Sequence, residues 1–402
     1  MRRRVPHSKA SSPIKRIAEF LIESWSFSST GRFMSKANGA TPEGTRRYAQ
    51  RVRATAAPEH FRVAIGLAMS TIGLGTYLGQ WDEHTDRAYQ EAIKRALELG
   101  CNVVDSAINY RFQRSERSIG AALKQLFDSG KLKRDEVVIA TKGGFFSFDG
   151  EPPRDVRRWV TENLIDTGAA RAEEIVDSHC MSPSYLENQL GRSLDNLGLD
   201  TIDIYYVHNP ESQLEGVPRE EFMRRVRAAF ELLERAADDG KIRVYGTATW
   251  SGYRQSPRSR EYLSVSELFE AAREVGGDSH RFRVIQLPYN LAMPEALTSA
   301  NQTVDGQQLS TLEAATRLGL TVMCSASMLQ AKLAQNLPPF VGAVLKGLET
   351  DAQRAIQFVR STPGVTTALV GMSDRAHVEE NMVVARTPPA PLEEFLKMFS
   401  EN

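Results

Sequence analysis

From Ile65 onward, short apolar runs alternate with amphipathic stretches eight times in succession, and this alternation limits the fold more than any other feature of the chain. Apolar runs of four to seven residues followed by helical patterns build parallel βαβ units. The runs at 71–76, 102–107, 137–142, 202–208, 242–247, 284–287, 321–325 and 366–370 are expected to be strands. The stretches 86–99, 115–127, 184–197, 221–237, 266–275, 311–318, 351–360 and 375–384 are expected to be helices. Gly100, Gly198, Gly240 and Gly319 each follow a helical pattern, where a left-handed cap favours glycine. Strands such as Val137-Val138-Ile139-Ala140 are apolar on both faces, as a covered parallel sheet requires. Eight consecutive pairs spread over about 320 residues predict an α/β fold, a (β/α)8 TIM barrel, longer than the ~250 residues usual for it. The extra length falls at 143–183, after the third strand, and at 328–349, after the seventh. In such barrels these loops wall the active-site face.

Composition narrows the partners. Lysine plus arginine and aspartate plus glutamate number 50 each, so no net field draws the chain to nucleic acid or an anionic membrane. No apolar run approaches the ~20 residues of a bilayer span. The three cysteines, Cys101, Cys180 and Cys324, lie far apart, which argues against a disulfide framework or zinc knuckle and suits a cytoplasmic protein. A small-molecule partner is expected, and nothing indicates an oligomeric state. Residues 1–60 read as an N-terminal extension, largely disordered or peripheral, and 61–402 as the barrel. The first 33 residues are basic, with Arg2, Arg3, Arg4, Lys9, Lys15, Arg16 and Arg32 against Glu19 and Glu23. They suggest a targeting peptide or, the reading preferred here, a tail preceding a start at Met34.

Ionisable residues interrupt the apolar strands at three ends. Asp105 closes the second strand, Lys142 the third and His208 the fourth, so all three reach one rim. One such residue alone is more often a cap or core group; three on adjacent strands form a candidate site. Tyr110, five residues after Asp105, can turn its phenol back over them. Reduction of a carbonyl needs a proton donor for the developing alkoxide, and a phenol with pKa about 10 needs help to serve at neutral pH. Lys142 would lower it, Asp105 would hold Lys142, and His208 would bond the substrate oxygen or relay the proton.

In order and spacing, Gly75-Thr76-Tyr77, Asp105-Ser106-Ala107-Ile108-Asn109-Tyr110, Ser115-Glu116, Thr141-Lys142, Val207-His208, Gly240-Lys241-Ile242-Arg243, Gln286 and the stretch from Gly371 to Glu380-Asn381 resemble the aldo-keto reductase family. The resemblance spans Ile65 to Ala385. It implies a catalytic tetrad of Asp105, Tyr110, Lys142 and His208, an NADPH cofactor (with NADH possible) across the barrel mouth, and reduction of aldehydes or ketones. It also implies cofactor contacts at Gly75, Thr76, Thr249, Gln286, Ser325, Gly371, Ser373, Glu380 and Asn381, with Gln286 on the nicotinamide carboxamide. The chain departs from the pattern at three places. Ala248-Thr249 replaces a Ser-Asn pair, Cys324-Ser325 stands where an aromatic residue stacks on the nicotinamide, and His377 stands where an arginine or glutamine meets the 2′-phosphate. Losing the stacked ring forfeits about 0.5–1.5 kcal/mol.

Other features are weaker. Gly73, Gly75 and Gly79 have the wrong spacing for a Rossmann phosphate loop. His179-Cys180 has no second close pair, so no metal is expected and a packing role is favoured. Trp250 reads as a pocket wall, Asp203 as structural, and Phe145, Phe146 and Phe148 as a lining for an apolar substrate. The helix from Arg375 offers N-terminal amides to the adenosine phosphates. Besides an active reductase, the pattern allows a cofactor-binding, catalytically weak barrel acting as a redox sensor or regulatory subunit.

Overall fold

The computed structural model describes residues 38–399 together with Ile14, Phe20 and Leu21. The rest of the basic stretch, and Met34, lie outside the described residues. Eight parallel strands close into a barrel: β1 Ile72–Gly75, β2 Val103–Asp105, β3 Val138–Gly143, β4 Ile202–His208, β5 Ile242–Ala248, β6 Phe282–Pro288, β7 Thr321–Ser325 and β8 Thr367–Gly371, with β8 paired to β1. Helices follow them: α1 Glu83–Glu98, α2 Arg114–Asp128, α3 Pro183–Leu197, α4 Arg219–Asp238, α5 Val265–Gly276, α6 Thr311–Arg317, α7 Asp351–Ser361 and α8 Arg375–Met382. The expected order is borne out. Gly100, Gly198, Gly240 and Gly319 all take positive φ.

Two apolar layers hold the barrel. Residues pointing inward, including Val103, Ile204, Tyr206, Val284 and Met323, fill its interior, and those pointing outward pack beneath the helices. The strands on which the site sits are therefore buried on both faces, which fixes their ends. Between β5 and β6 the register slips at Gly246, where any Cβ would meet the Val284 carbonyl oxygen.

The segment before the barrel closes its N-terminal end. A hairpin, Phe61–Ala64 with Leu67–Ser70, sends Leu67 and Met69 into the interior cluster, which also takes in Ala40. Asp203, at the start of β4, accepts the amides of Ala40 at 2.7 Å and Ile139 at 2.8 Å and the guanidinium of Arg134 at 2.8 Å. Helix Pro42–Arg51 is tied down by Arg47 and Arg51 on the buried carboxylate of Glu136. Part of 38–60 is thus peripheral yet anchored. Leu21 is also buried, and would contact a Cβ placed on Gly364. A second hairpin, Gln302–Val304 with Gln307–Leu309, was not apparent from the apolar pattern, though its Asp305-Gly306 turn is a hairpin signal.

Candidate active site

Asp105, Lys142 and His208 end their strands at one rim because β2, β3 and β4 are neighbours in register. Lys142 is enclosed, and its ammonium donates to Asp105 Oδ2 at 2.6 Å and to the Ser106 carbonyl at 2.6 Å. The other Asp105 oxygen accepts Gln286 Nε2 at 2.8 Å, so Gln286 of β6 braces the ion pair across the barrel mouth. Tyr110 turns back as its spacing suggested, and Lys142 Nζ lies 4.9 Å from the centre of its ring. The His208 ring stands edge-on to Tyr110 at 5.8 Å.

The electrostatics revise one expectation. Burial raises the Tyr110 phenol above its ordinary value, and Lys142 only partly offsets this because Asp105 balances its charge. Tyr110 is therefore a protonated donor at neutral pH, and the ammonium acts chiefly on the phenolate that forms when the proton leaves. For Lys142 burial alone would lower the pKa; Asp105 and Tyr110 outweigh it, and the group is held above its usual range. Burial, reinforced by Lys142, keeps His208 well below 6.5 and so neutral.

A cavity of about 720 Å³ opens over these residues. Of the residues expected to bind a cofactor, Gly75, Thr76, Thr249, Gln286, Ser325, Gly371, Ser373, Glu380 and Asn381 all line it. Not every one offers its side chain. The Thr76 hydroxyl is engaged with the Asp105 carbonyl at 3.1 Å and Ser106 Oγ at 3.0 Å, which leaves its place in the strand end rather than its hydroxyl as the contribution. Four lining residues carry buried polar atoms without a partner: Asn109 Oδ1, His208 Nδ1, Thr249 Oγ1 and Asn381 Oδ1. Such atoms cost free energy unless a ligand or water answers them.

The expected aromatic lining is corrected. Phe145 lines the cavity, but Phe146 and Phe148 turn away into a separate cluster with Leu164, Cys180, Tyr185 and Trp159 inside the loop after β3. The open rim is instead aromatic through Tyr77 and Trp250, 57% and 49% exposed. One amide at the start of α8 is already capped, since Asp374 Oδ1 accepts the His377 N–H at 2.9 Å.

Three groups act in positioning beyond what the sequence assigned them, His179 having been read only as loop packing. His179 Nδ1 accepts from Gln213 Nε2 at 2.9 Å, so its Nε2–H donates to the His208 carbonyl at 2.7 Å. Gly144, with φ 146°, permits this approach: a Cβ there would lie 2.7 Å from His179 Nε2. Glu211, buried behind β4, accepts the amides of Trp250 at 2.9 Å and Ser251 at 3.1 Å, fixing the turn that carries Thr249. Arg111 follows Tyr110 and heads three left-handed residues, Arg111, Phe112 and Gln113, a conformation costly for side chains larger than glycine. Its guanidinium is clamped by Asp86 at 2.5 Å and the Gln80 carbonyl at 2.7 Å. An acid directly beyond the fourth strand hinted at Glu211; the other two depend on the folded loops.

Among the described residues no cluster of metal-ligating side chains forms, and no helix is long and apolar enough to cross a membrane. Residues 71–258 match the model of the aldo/keto reductase family. An NADH-specific methylglyoxal reductase of Escherichia coli is 29% identical over 207 residues, 50% of this chain and 54% of that protein. The chain spans about half the length of the curated relatives it matches first. A candidate voltage-gated potassium channel subunit beta of Schizosaccharomyces pombe is 26% identical over 86% of this chain and 92% of its own. Among solved structures, an aldo/keto reductase from Klebsiella pneumoniae in complex with NADP and acetate superposes with a TM-score of 0.56 at 20% identity, over 85% of this chain and 94% of the other.

Proposed function

We propose that this chain, which belongs to the aldo/keto reductase family, reduces an aldehyde or ketone to the alcohol with a reduced nicotinamide dinucleotide, Tyr110 giving the proton. The observation that carries the reading is one buried group of interacting side chains. Asp105 holds Lys142 at 2.6 Å, Lys142 faces the Tyr110 ring, and neutral His208 stands beside them on the wall of a cavity.

The residues suit a dinucleotide. The cavity runs from this group to α8, and its unpartnered atoms at Asn109, Thr249 and Asn381 are amide and hydroxyl groups of the kind that answer a carboxamide, a ribose or a base. The bound dinucleotide would supply hydride to the carbonyl carbon. As charge grows on the carbonyl oxygen, the Tyr110 O–H breaks and its proton passes to that oxygen. The phenolate left behind faces the Lys142 ammonium, which Asp105 keeps charged and oriented. His208, neutral, offers a hydrogen bond to the same oxygen without placing a second cation beside Lys142. Solvent then returns a proton to Tyr110. The substrate is a small carbonyl compound, and the setting we assign is the cytoplasm, supported by three free, buried cysteines.

The likeness to a candidate channel subunit over 86% of the chain favours a second reading, a barrel that binds the dinucleotide and regulates a partner. Turnover of an aldehyde and ketone panel by the wild type and Tyr110→Phe separates the two. The reductase reading expects a loss of about 10²- to 10⁴-fold with dinucleotide binding retained. Equal rates in the two proteins would overturn it.

A further inference from the structure

We infer that Arg111, Phe112 and Gln113 are positioning residues for the reduction: together they form a strained turn, tied by its side chains to the elements on either side, that holds the Tyr110 phenol over Lys142. The inference rests on the reading of Tyr110 as the proton donor.

Three of the four side chains in the catalytic group end strands and inherit their places from the sheet. Tyr110 does not, because β2 stops at Asp105 and the phenol lies five residues further on. On the strand side two backbone bonds fix that loop, from the Ile108 amide to the Lys142 carbonyl at 3.2 Å and from the Tyr110 amide to the Ala107 carbonyl at 3.0 Å. Beyond Tyr110 the chain must turn at once into α2, and it does so with φ of 48°, 54° and 71° at Arg111, Phe112 and Gln113. Glycine takes such angles freely, whereas larger side chains are held in them only by their surroundings. A turn whose one task was to reverse the chain would be least strained in glycine. Here three large side chains occupy it.

Each of the three is a tether. Arg111, 6% exposed, donates from Nη2 to Asp86 Oδ1 at 2.5 Å and from Nε to the Gln80 carbonyl at 2.7 Å, with its guanidinium 5.1 Å from the centre of the Tyr89 ring. Gln80 shares the loop between β1 and α1 with Tyr77, whose ring meets Tyr110 edge-on at 5.0 Å, so the clamp and the phenol lean on one wall. Phe112 packs on Trp81 of that loop at 5.3 Å and on Phe148 of the loop after β3 at 6.2 Å, and its carbonyl accepts the Gly150 amide at 2.9 Å. Gln113, 1% exposed, donates to the carbonyls of Ser147 at 3.1 Å and Phe148 at 3.0 Å and accepts from Asn196 of α3 at 3.1 Å. Cutting a tether lets the strained turn relax, and the phenol next to it moves with the backbone. Misplacing a reacting group by about 1 Å costs on the order of 10²-fold in rate.

The test is steady-state kinetics of the purified full-length protein, with reduced dinucleotide and the fastest member of an aldehyde and ketone panel, on Arg111→Gly, Gln113→Gly and Arg111→Lys. The glycine variants accept the left-handed angles but lose a tether, and kcat is expected to fall about 10- to 100-fold. KM, and dinucleotide Kd from fluorescence quenching, should stay within about twofold. Because the displaced group is the proton donor, the solvent deuterium isotope effect on kcat should rise above that of the wild type. Arg111→Lys, which keeps a cation for Asp86, should recover part of the rate. Asp86→Asn loosens the clamp without altering the turn and should show the same fall in kcat and the same isotope effect, so the inference stays testable where a glycine variant does not fold. An unchanged kcat and isotope effect in folded variants, or a lowered urea midpoint as the sole effect, overturns the inference and leaves Tyr110 as the donor. A wild type that reduces nothing, or a Tyr110→Phe variant as fast as the wild type, overturns the donor reading and the inference with it.

Discussion

The Asp105–Lys142 pair lends itself to a double-mutant cycle whose outcome is set by its burial. The two charges meet at 2.6 Å with side-chain exposures of 6% and 1%. Asp105→Asn leaves an enclosed ammonium facing only neutral acceptors, the new amide oxygen and the Ser106 carbonyl; Lys142→Met leaves a carboxylate with only Gln286. Breaking a buried pair costs about 3–5 kcal/mol. An independent bound agrees: each stranded group escapes by changing protonation, at about 4–5 kcal/mol for a lysine or an aspartate at pH 7. The double variant strands nothing, and replacing both partners is close to neutral. It should therefore be more stable than either single variant by several kcal/mol, although all three are inactive. The singles should also respond oppositely to pH. The stranded lysine has a depressed pKa, so the penalty of Asp105→Asn shrinks as pH rises. The stranded aspartate has an elevated pKa, so the penalty of Lys142→Met shrinks as pH falls. Urea unfolding at several pH values, followed by fluorescence and circular dichroism together, measures all of this. A double variant as unstable as the sum of the singles, or singles costing under about 1 kcal/mol, would refute the argument that the pair is held against a desolvation cost.

Burial depresses His60 to about 3 and His179 to about 4, below the 6.5 of an unfolded chain. Between about pH 6.5 and 4 the unfolded state binds more protons, so stability should fall on acidification, each histidine adding a slope of up to about 1.4 kcal/mol per pH unit; replacing His179 with glutamine should flatten the curve, and an unchanged slope would count against it. All three cysteines are buried, with Cys101 raised to about 11, so a thiol reagent should label none rapidly in the native protein and all three in denaturant. Glu211→Gln keeps the shape but weakens the hold on the Trp250 and Ser251 amides; dinucleotide affinity should drop several-fold with little change in unfolding midpoint, and unaltered affinity would show that the turn carrying Thr249 holds itself.

Much of this architecture is written locally. The strand from Ile202 to His208 and that from Thr321 to Ser325 coincide with their apolar runs, because strands buried on both faces leave continuous signatures. The tetrad was legible for the same reason: a charge at the end of an apolar run stands out. The hairpin Phe61–Ser70 was hidden, since its turn at Ile65-Gly66 carries no paired turn residues and its strands are short. Which phenylalanine of Phe145, Phe146 and Phe148 faces the cavity was equally hidden, because a loop has no period from which to read a face. His179 escaped as a support of His208 because that contact joins residues 29 apart through a loop of irregular backbone.

The loop after β3 has its own small apolar cluster, yet it touches the catalytic rim through Phe145 and through the His179 contact admitted by Gly144. Such a loop behaves as a semi-independent unit, held to the barrel also by Gln113 on the Ser147 and Phe148 carbonyls and by Arg225 on those of Glu173 and Glu174. Its outer part can be recast, by descent or by design, to present a new wall to the substrate while the barrel keeps folding. The splice must preserve Gly144 and His179, or the change of specificity will carry a change of rate with it.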